Sequence, residues 1–239
     1  MLRSCNISEI IHMNSKPILL KLGGSIIVPS KDNVDVDYLK KLRDLIKTFP
    51  DKKFIITIGG GYTCRWYQEA LNDAGFTEHM IQHEMGVAVC NMNAELVRLI
   101  FGDIADEEIY MGKGPLEIKA QVLITGVWVP GASSNADAVE IAYKSNSDTI
   151  VNLSNIDYLY DKDPREFPDA KKLEKINWTD YRKMFNVTEH KPGAHIPIDV
   201  IAADLADAHE VKFYFMNGHD LENLKNVIDG EGFKGTIIG

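Results

Sequence analysis

Ile18-Leu19-Leu20-Lys21-Leu22-Gly23-Gly24-Ser25 and Lys53-Phe54-Ile55-Ile56-Thr57-Ile58-Gly59-Gly60-Gly61 decide the fold of this chain. Each is an apolar run that stops abruptly in glycines. Each has a cation close by, Lys21 in the first and Arg65 just beyond the second. Short apolar runs of this kind read as strands buried on both faces of a parallel sheet. Glycines at their ends let bare backbone N–H groups approach an anion where a Cβ would collide. Strand tip, glycine and cation together are how an α/β sheet presents itself to phosphate.

Outward from these two strands the chain alternates. Residues 37–48 read as a helix with Tyr38, Leu39, Leu42, Leu45 and Ile46 on one face, and 62–74 as a second helix stopped by Gly75. Residues 82–100 are apolar all round and read as a well-buried helix. Strands are expected at 108–111 and 121–125. The alternation then restarts, with helices at 137–146, 177–185, 199–208 and 221–228 and strands at 148–153, 211–216 and 235–238. Alternation of this kind predicts a mostly parallel sheet covered on both faces. With no linker-like stretch, 16–239 reads as one domain whose halves, about 16–130 and 131–239, meet near Gly131 to Asp137. Residues 1–15 read as a short extension.

The bulk numbers narrow the function. The 239 residues carry a formal charge of −9, which disfavours nonspecific nucleic-acid binding and anionic membranes. A few fixed cations still suffice for a local phosphate site. No run of about 18 apolar residues is evident, so no membrane span is expected, and the first 16 residues lack the apolar core of a secretory signal. Cys5, Cys64 and Cys90 are widely spaced and odd in number, which fits a reducing cytoplasm without a disulfide framework. Cys64, beside the glycines, reads as a small semi-buried thiol.

Four motifs carry chemistry. Lys21 with Gly23, Gly24 and Ser25 suits a transferring phosphoryl group. Gly59-Gly60-Gly61 with Arg65 offers more glycines than a turn needs, plus a guanidinium that grips phosphate in bidentate fashion. Pro130-Gly-Ala-Ser-Ser-Asn-Ala-Asp137 is small and polar where a helix starts, suited to capping or to holding an anion or a base edge. Asn152 to Arg165 turns from buried strand to a polar, aromatic and acidic loop, where α/β sheets bind ligands. Two signals fail: His79 and His83-Glu84 lack the second half of a zinc motif, and no P-loop or dinucleotide fingerprint is present.

Together these residues resemble the amino-acid kinase superfamily, and within it the uridylate (UMP) kinase family. The resemblance runs from about Lys16 to Ile238. Its markers are Lys21-Leu-Gly-Gly-Ser25, Gly59-Gly-Gly-x-x-x-Arg65, Met85-Gly86, Pro130-Gly131 with Asp137-Ala-Val139, Asn155-x-Asp-x-x-Tyr160-x-x-Asp-Pro164, and the closing Gly230 to Ile237. The resemblance implies a three-layer αβα sandwich and transfer of the γ-phosphoryl group from ATP, carried with Mg²⁺, to UMP. It implies a homohexamer.

By position, the resemblance puts Lys21, Leu22, Gly23, Gly24, Ser25, Gly61, Arg65, Ser154, Tyr160 and Asp163 around ATP. It puts Gly60, His83, Pro130, Gly131, Ala132, Ser133, Ser134, Asn135 and Ala136 around UMP. Lys21 would bridge the transferred group, Arg65 would stand where the phosphate chains meet, and Asp199 would organise the lysine. Two places depart from the family pattern. His83-Glu84 stands where many members have an aspartate before Met-Gly, and Asn135-Ala136-Asp137 replaces Thr-Thr-Asp. A sister kinase for isopentenyl phosphate, acetylglutamate or carbamate, or an ATP-binding oxyanion (molybdate) storage protein, remains the alternative.

Overall fold

The computed structural model describes residues 16–128, 131, 133–164, 166–185 and 197–239. β1 (Ile18–Leu22) pairs in parallel with β2 (Phe54–Ile58) on one side and β4 (Thr149–Ser154) on the other. β3 (Val122–Thr125) continues in parallel beyond β2, and β8 (Lys212–Asn217) beyond β4. β9 (Thr236–Ile238) runs antiparallel to β8, and β7 (Lys175–Ile176) parallel to β9. The result is a seven-stranded sheet in the order β3-β2-β1-β4-β8-β9-β7. β5 (Leu159–Tyr160) and β6 (Lys172–Leu173) form a separate hairpin.

That order has a consequence for ligands. β1, β2 and β3 step outward in one direction, while β4 and β8 step in the other. The reversal lies between β1 and β4. A crevice opens at the carboxyl ends of the strands where the order reverses. Lys21 sits there, in register with Thr57 of β2 and Asn152 of β4.

Side chains alternate across the sheet and build two cores. Ile18, Leu20 and Leu22 face one core, closed by α1 (Gly24–Ile27), α2 (Val36–Lys47), α4 (His79–Phe101) and α8 (Leu221–Asp229). Leu19, Ile55 and Ile150 face the other, closed by α5 (Ser134–Lys144), α6 (Trp178–Met184) and α7 (Val200–Ala208). The architecture is therefore a three-layer αβα sandwich. α2 shows how the sequence produces it. The Asp35 side chain caps it by accepting from the Tyr38 backbone N–H at 2.9 Å. Tyr38, Leu39, Leu42 and Ile46 then point inward. Each such burial stabilises the fold by about 2 kcal/mol.

The structure corrects several expectations. The helix expected at 82–100 starts at His79, and it is not buried all round, since Met92 and Leu99 are exposed. Its stretch 79–104 is in fact long and apolar enough to cross a membrane. It is instead a helix of the sandwich: Ala94, Val97 and Phe101 pack in the core, and buried Gln82 and Asn93 bond to the protein backbone. The strand expected at 108–111 is a single bridge, Tyr110 to Thr125, because a polar stretch follows and gives it no ladder. The helix expected from 137 begins at Ser134, capped by Ser133. Neither α1 nor the β5–β6 hairpin was foreseen. Both are too short for periodicity to reveal.

Candidate active site

The two glycine-terminated strands meet backbone to backbone. A Cβ on Gly24 would stand 2.0 Å from the Gly61 nitrogen and 2.6 Å from the Gly59 carbonyl carbon. A Cβ on Gly61 would stand 2.3 Å from the Gly24 oxygen, and its φ of +66° is itself the left-handed region. No L side chain fits either place. The Gly59 N–H donates to the Leu22 carbonyl at 3.1 Å, and the Gly23 N–H to Leu153 at 2.8 Å. The loops after β1, β2 and β4 are thus stitched into one rim. The Leu22 side chain is buried in the core, so only its backbone belongs to that rim.

Asn93 fixes the rim from below. Its amide donates to the carbonyls of Gly59 and Gly60 at 2.9 and 3.1 Å. An asparagine within a largely apolar helix is the one sequence signal that points to it. Arg65 lies on α3 (Gly61–Asp73), which opens at the glycine triplet. Its guanidinium donates to Ser25 Oγ at 3.5 Å and lies over the Tyr62 ring. Arg65 and the Lys21-to-Ser25 turn therefore share one mouth.

Lys21 projects from the same face of β1 as Leu19, toward α5. Across that face run Thr125, Thr57, Lys21 and Asn152. Burial lowers the Lys21 pKa, opposed by Cys90 and then Asp199. Among the described residues Lys21 makes no hydrogen bond or salt bridge. A largely buried lysine held only by through-space attraction is costly unless an anion joins it.

The acidic side of the site is built at helix starts. Ser133 Oγ accepts from the N–H groups of Asn135 and Ala136 at 3.1 and 3.2 Å and donates to Asp199 through a short contact. Asp199 caps α7, accepting from Ile201 and Ala202 at 3.1 and 3.2 Å. Asp137 lies beneath, 2 % exposed, with one carboxylate oxygen unpartnered among the described residues. Burial pushes its pKa up to about 7, aided by Glu140 and Asp199 and opposed by the Trp128 backbone. Asn135 and Asn152 each bury an amide oxygen that finds no partner among the described residues. Asp137 and Asn152 stand inside motifs that the sequence does show. Their burial, the decisive property, is invisible in sequence.

The remaining expected residues spread around this centre. Asn135 donates to the Pro197 carbonyl, and Ala136 is buried in the core under α5. Ser134 is the first residue of α5, and His83 lies part-exposed on α4. Gly131 has φ +94° and faces the Met80 sulfur. Pro130 and Ala132 lie outside the described residues. Ser154 ends β4 and bonds to the Ile156 and Met216 carbonyls. Tyr160 is on the hairpin, and Asp163 turns it through its carbonyl, which accepts from Glu166 and Phe167. Among the described residues no three His, Cys, Asp or Glu side chains gather as a metal cage.

Comparison with known proteins agrees with this fold. Residues 122–217 match the model of the amino acid kinase family. A uridylate kinase of Pyrococcus abyssi is 30% identical over 226 residues, covering 92% of this chain and 98% of that protein. One from Thermoplasma volcanium is 27% identical over 224 residues, covering 91% and 95%. The crystal structure of uridylate kinase from Archaeoglobus fulgidus superposes with a TM-score of 0.75 at 22% identity, covering 93% of this chain and all of that one. The UMP kinase of Bacillus anthracis gives 0.74 at 18%, covering 94% and 96%.

Proposed function

This chain belongs to the uridylate kinases of the amino acid kinase family, and from that premise we propose that it transfers the γ-phosphoryl group of ATP to UMP, giving UDP and ADP. A UMP phosphate oxygen attacks the γ-phosphorus, and the bond from that phosphorus to the β-bridging oxygen breaks. The attacking oxygen is already anionic, so the reaction asks for alignment and positive charge rather than a general base. One observation carries the reading: Lys21, which makes no hydrogen bond or salt bridge among the described residues, stands behind a rim of interlocked glycines whose mouth holds Ser25 and Arg65.

Each residue then has a role. Lys21 meets the transferred group, and Arg65 the place where donor and acceptor phosphates converge. Gly23, Gly24, Ser25 and Gly61 line the donor phosphates, with Leu22 contributing backbone. Ser154, Tyr160 and Asp163 border the rest of ATP. Gly60, His83 and the stretch Pro130 to Ala136 border UMP. Asp199, fixed by Ser133 and its helix cap, orients Lys21. Mg²⁺ carried by the ATP phosphates would neutralise part of their charge. Residues 16–130 form the acceptor side and 131–239 the donor side of one domain, with 1–15 as an extension.

The enzyme works as a homo-oligomer, a hexamer by family likeness, in the cytoplasm. α3 supports the assembly: it is 13 residues long and buries none of them. Trp66 and Tyr67 on α3 and Met80, Met92 and Leu99 on α4 are exposed, apolar surface of the kind that a second copy can cover. The decisive experiment supplies ATP and Mg²⁺ with UMP, CMP, AMP or dUMP and follows ADP. Turnover with UMP alone is expected. Turnover only with a non-nucleotide acceptor, or ATP binding without turnover, would overturn the assignment.

A further inference from the structure

Two thiols lie under the rim, and the proposed reaction has no use for either. Cys64 sits in the first turn of α3 and Cys90 is buried on α4. A side chain built on Gly60 would find the Cys64 sulfur at 3.1 Å and the Cys90 sulfur at 3.5 Å. Both sulfurs therefore border the same small volume. That volume adjoins the glycine assigned to the acceptor phosphate. Cys90 is also one helical turn before Asn93, the residue that holds the Gly59 and Gly60 carbonyls. Cys90 further feels Lys21, and Cys64 feels Arg65. The pair thus touches the support of the phosphate rim and the surroundings of both cations.

We propose that Cys64 and Cys90 form a redox pair whose disulfide shuts the phosphate site. This rests on the reading of that site as the place of phosphoryl transfer. The oxidant is a small-molecule disulfide such as oxidised glutathione. Cys64, the more exposed thiol, loses its proton and attacks one glutathione sulfur. A mixed disulfide forms and one glutathione thiolate leaves. Cys90, deprotonated in turn, attacks the Cys64 sulfur and expels the second glutathione. Two protein thiols are oxidised, one disulfide is reduced to two thiols, and the two protons leave with them.

The bond draws the sulfurs to about 2 Å of each other. α3 is then clamped to α4, and the Gly60 loop shifts on its Asn93 support. Burial raises both thiol pKa values, that of Cys90 to about 12. The pair is therefore slow to react at neutral pH. It responds to sustained oxidation rather than to a brief pulse.

The test uses the full chain in glutathione buffers of graded ratio. Two readouts run in parallel, a non-reducing peptide map and ADP release with UMP. The map is expected to show Cys64 linked to Cys90, with turnover falling at least tenfold in step and returning on reduction. Cys64→Ser is expected to keep its turnover under the same oxidation, and Cys90→Ala serves as the second variant. Absence of the link, pairing through Cys5 instead, or a full link with unchanged turnover each overturns the proposal. If reduced protein fails to turn over UMP, the function reading falls. The map, with UMP-induced thermal shift as the site readout, then still decides the switch.

Discussion

The two sides of the site are made of different material. The phosphate rim after β1 and β2 is built from backbone: Gly24 against Gly59 and Gly61, with N–H groups tied to Leu22 and Leu153. The wall beside α5 and α7 is built from side chains: Ser133 bonded to Asp199, buried Asp137, and amide oxygens of Asn135 and Asn152 that find no partner among the described residues. A site made of close-packed backbone tolerates almost no added side chain. Side-chain sites can exchange one polar group for another. His83-Glu84 and Asn135-Ala136 both fall outside the backbone rim.

On this contrast the largest losses come from the cations at the rim. Lys21→Met is expected to reduce kcat by about a thousandfold, since one fixed charge in a dry site contributes about 3–4 kcal/mol. Its far-ultraviolet spectrum should be unchanged, because removing a cation that burial disfavours relieves desolvation. Retention of more than a tenth of the wild-type rate would remove Lys21 from the chemistry. Arg65→Ala comes next, at about a hundredfold. Arg65 is exposed, so thermal stability should move little. A loss confined to KM would make Arg65 a binding group rather than one that acts in the transition state.

Gly24→Ala probes the backbone side directly. The added methyl would stand 2.0 Å from the Gly61 nitrogen, and backbone on both sides cannot step aside. About 2 kcal/mol or more of stability should be lost, with turnover falling because the rim is forced apart. By contrast Asn135→Ser, on the side-chain wall, should shift preference among UMP, CMP and dUMP more than it lowers ATP affinity. The comparison breaks if Gly24→Ala is the milder of the two.

The same contrast explains what the sequence disclosed. Glycine triplets and apolar strands are written in residue identity, so the rim, the sheet and most helices could be read directly. The strand order could not, yet it places Lys21 beside Asn152 at the reversal. Asn93 looked like one polar residue in an apolar helix. Only the packing of α4 beneath β2 shows that it carries two carbonyls. The desolvation of Asp137 and the meeting of Cys64 with Cys90 depend on helix packing. α3 carried the opposite lesson, because helical periodicity marked it correctly without saying that its apolar face would lie open.

The pH dependence separates the two sides further. Lys21 has a lowered pKa in the ligand-free protein, so its charge is lost below the ordinary lysine value of 10.5. The alkaline limb of kcat/KM, which reports the free enzyme, should fall before pH 10.5 and disappear in Lys21→Arg. A limb that persists in Lys21→Arg would assign it to another group.

The smallest effect is expected at Asp137, and its sign is opposite to that of an ordinary paired carboxylate. Its folded pKa is about 7 against 3.8 for a free aspartate. Between those values the folded chain holds a proton that the unfolded chain has shed. Stability therefore falls as pH rises from about 4 to 7, and the loss is complete above the folded value. Asp137→Asn keeps the shape and removes the titration. Its melting temperature should exceed the wild type by a few degrees at pH 8 and match it at pH 4, read by calorimetry in ligand-free protein. Equal melting curves at both pH values would mean that the carboxylate is stabilised where it lies. The side-chain wall would then be as settled as the backbone rim, and the contrast between them would disappear.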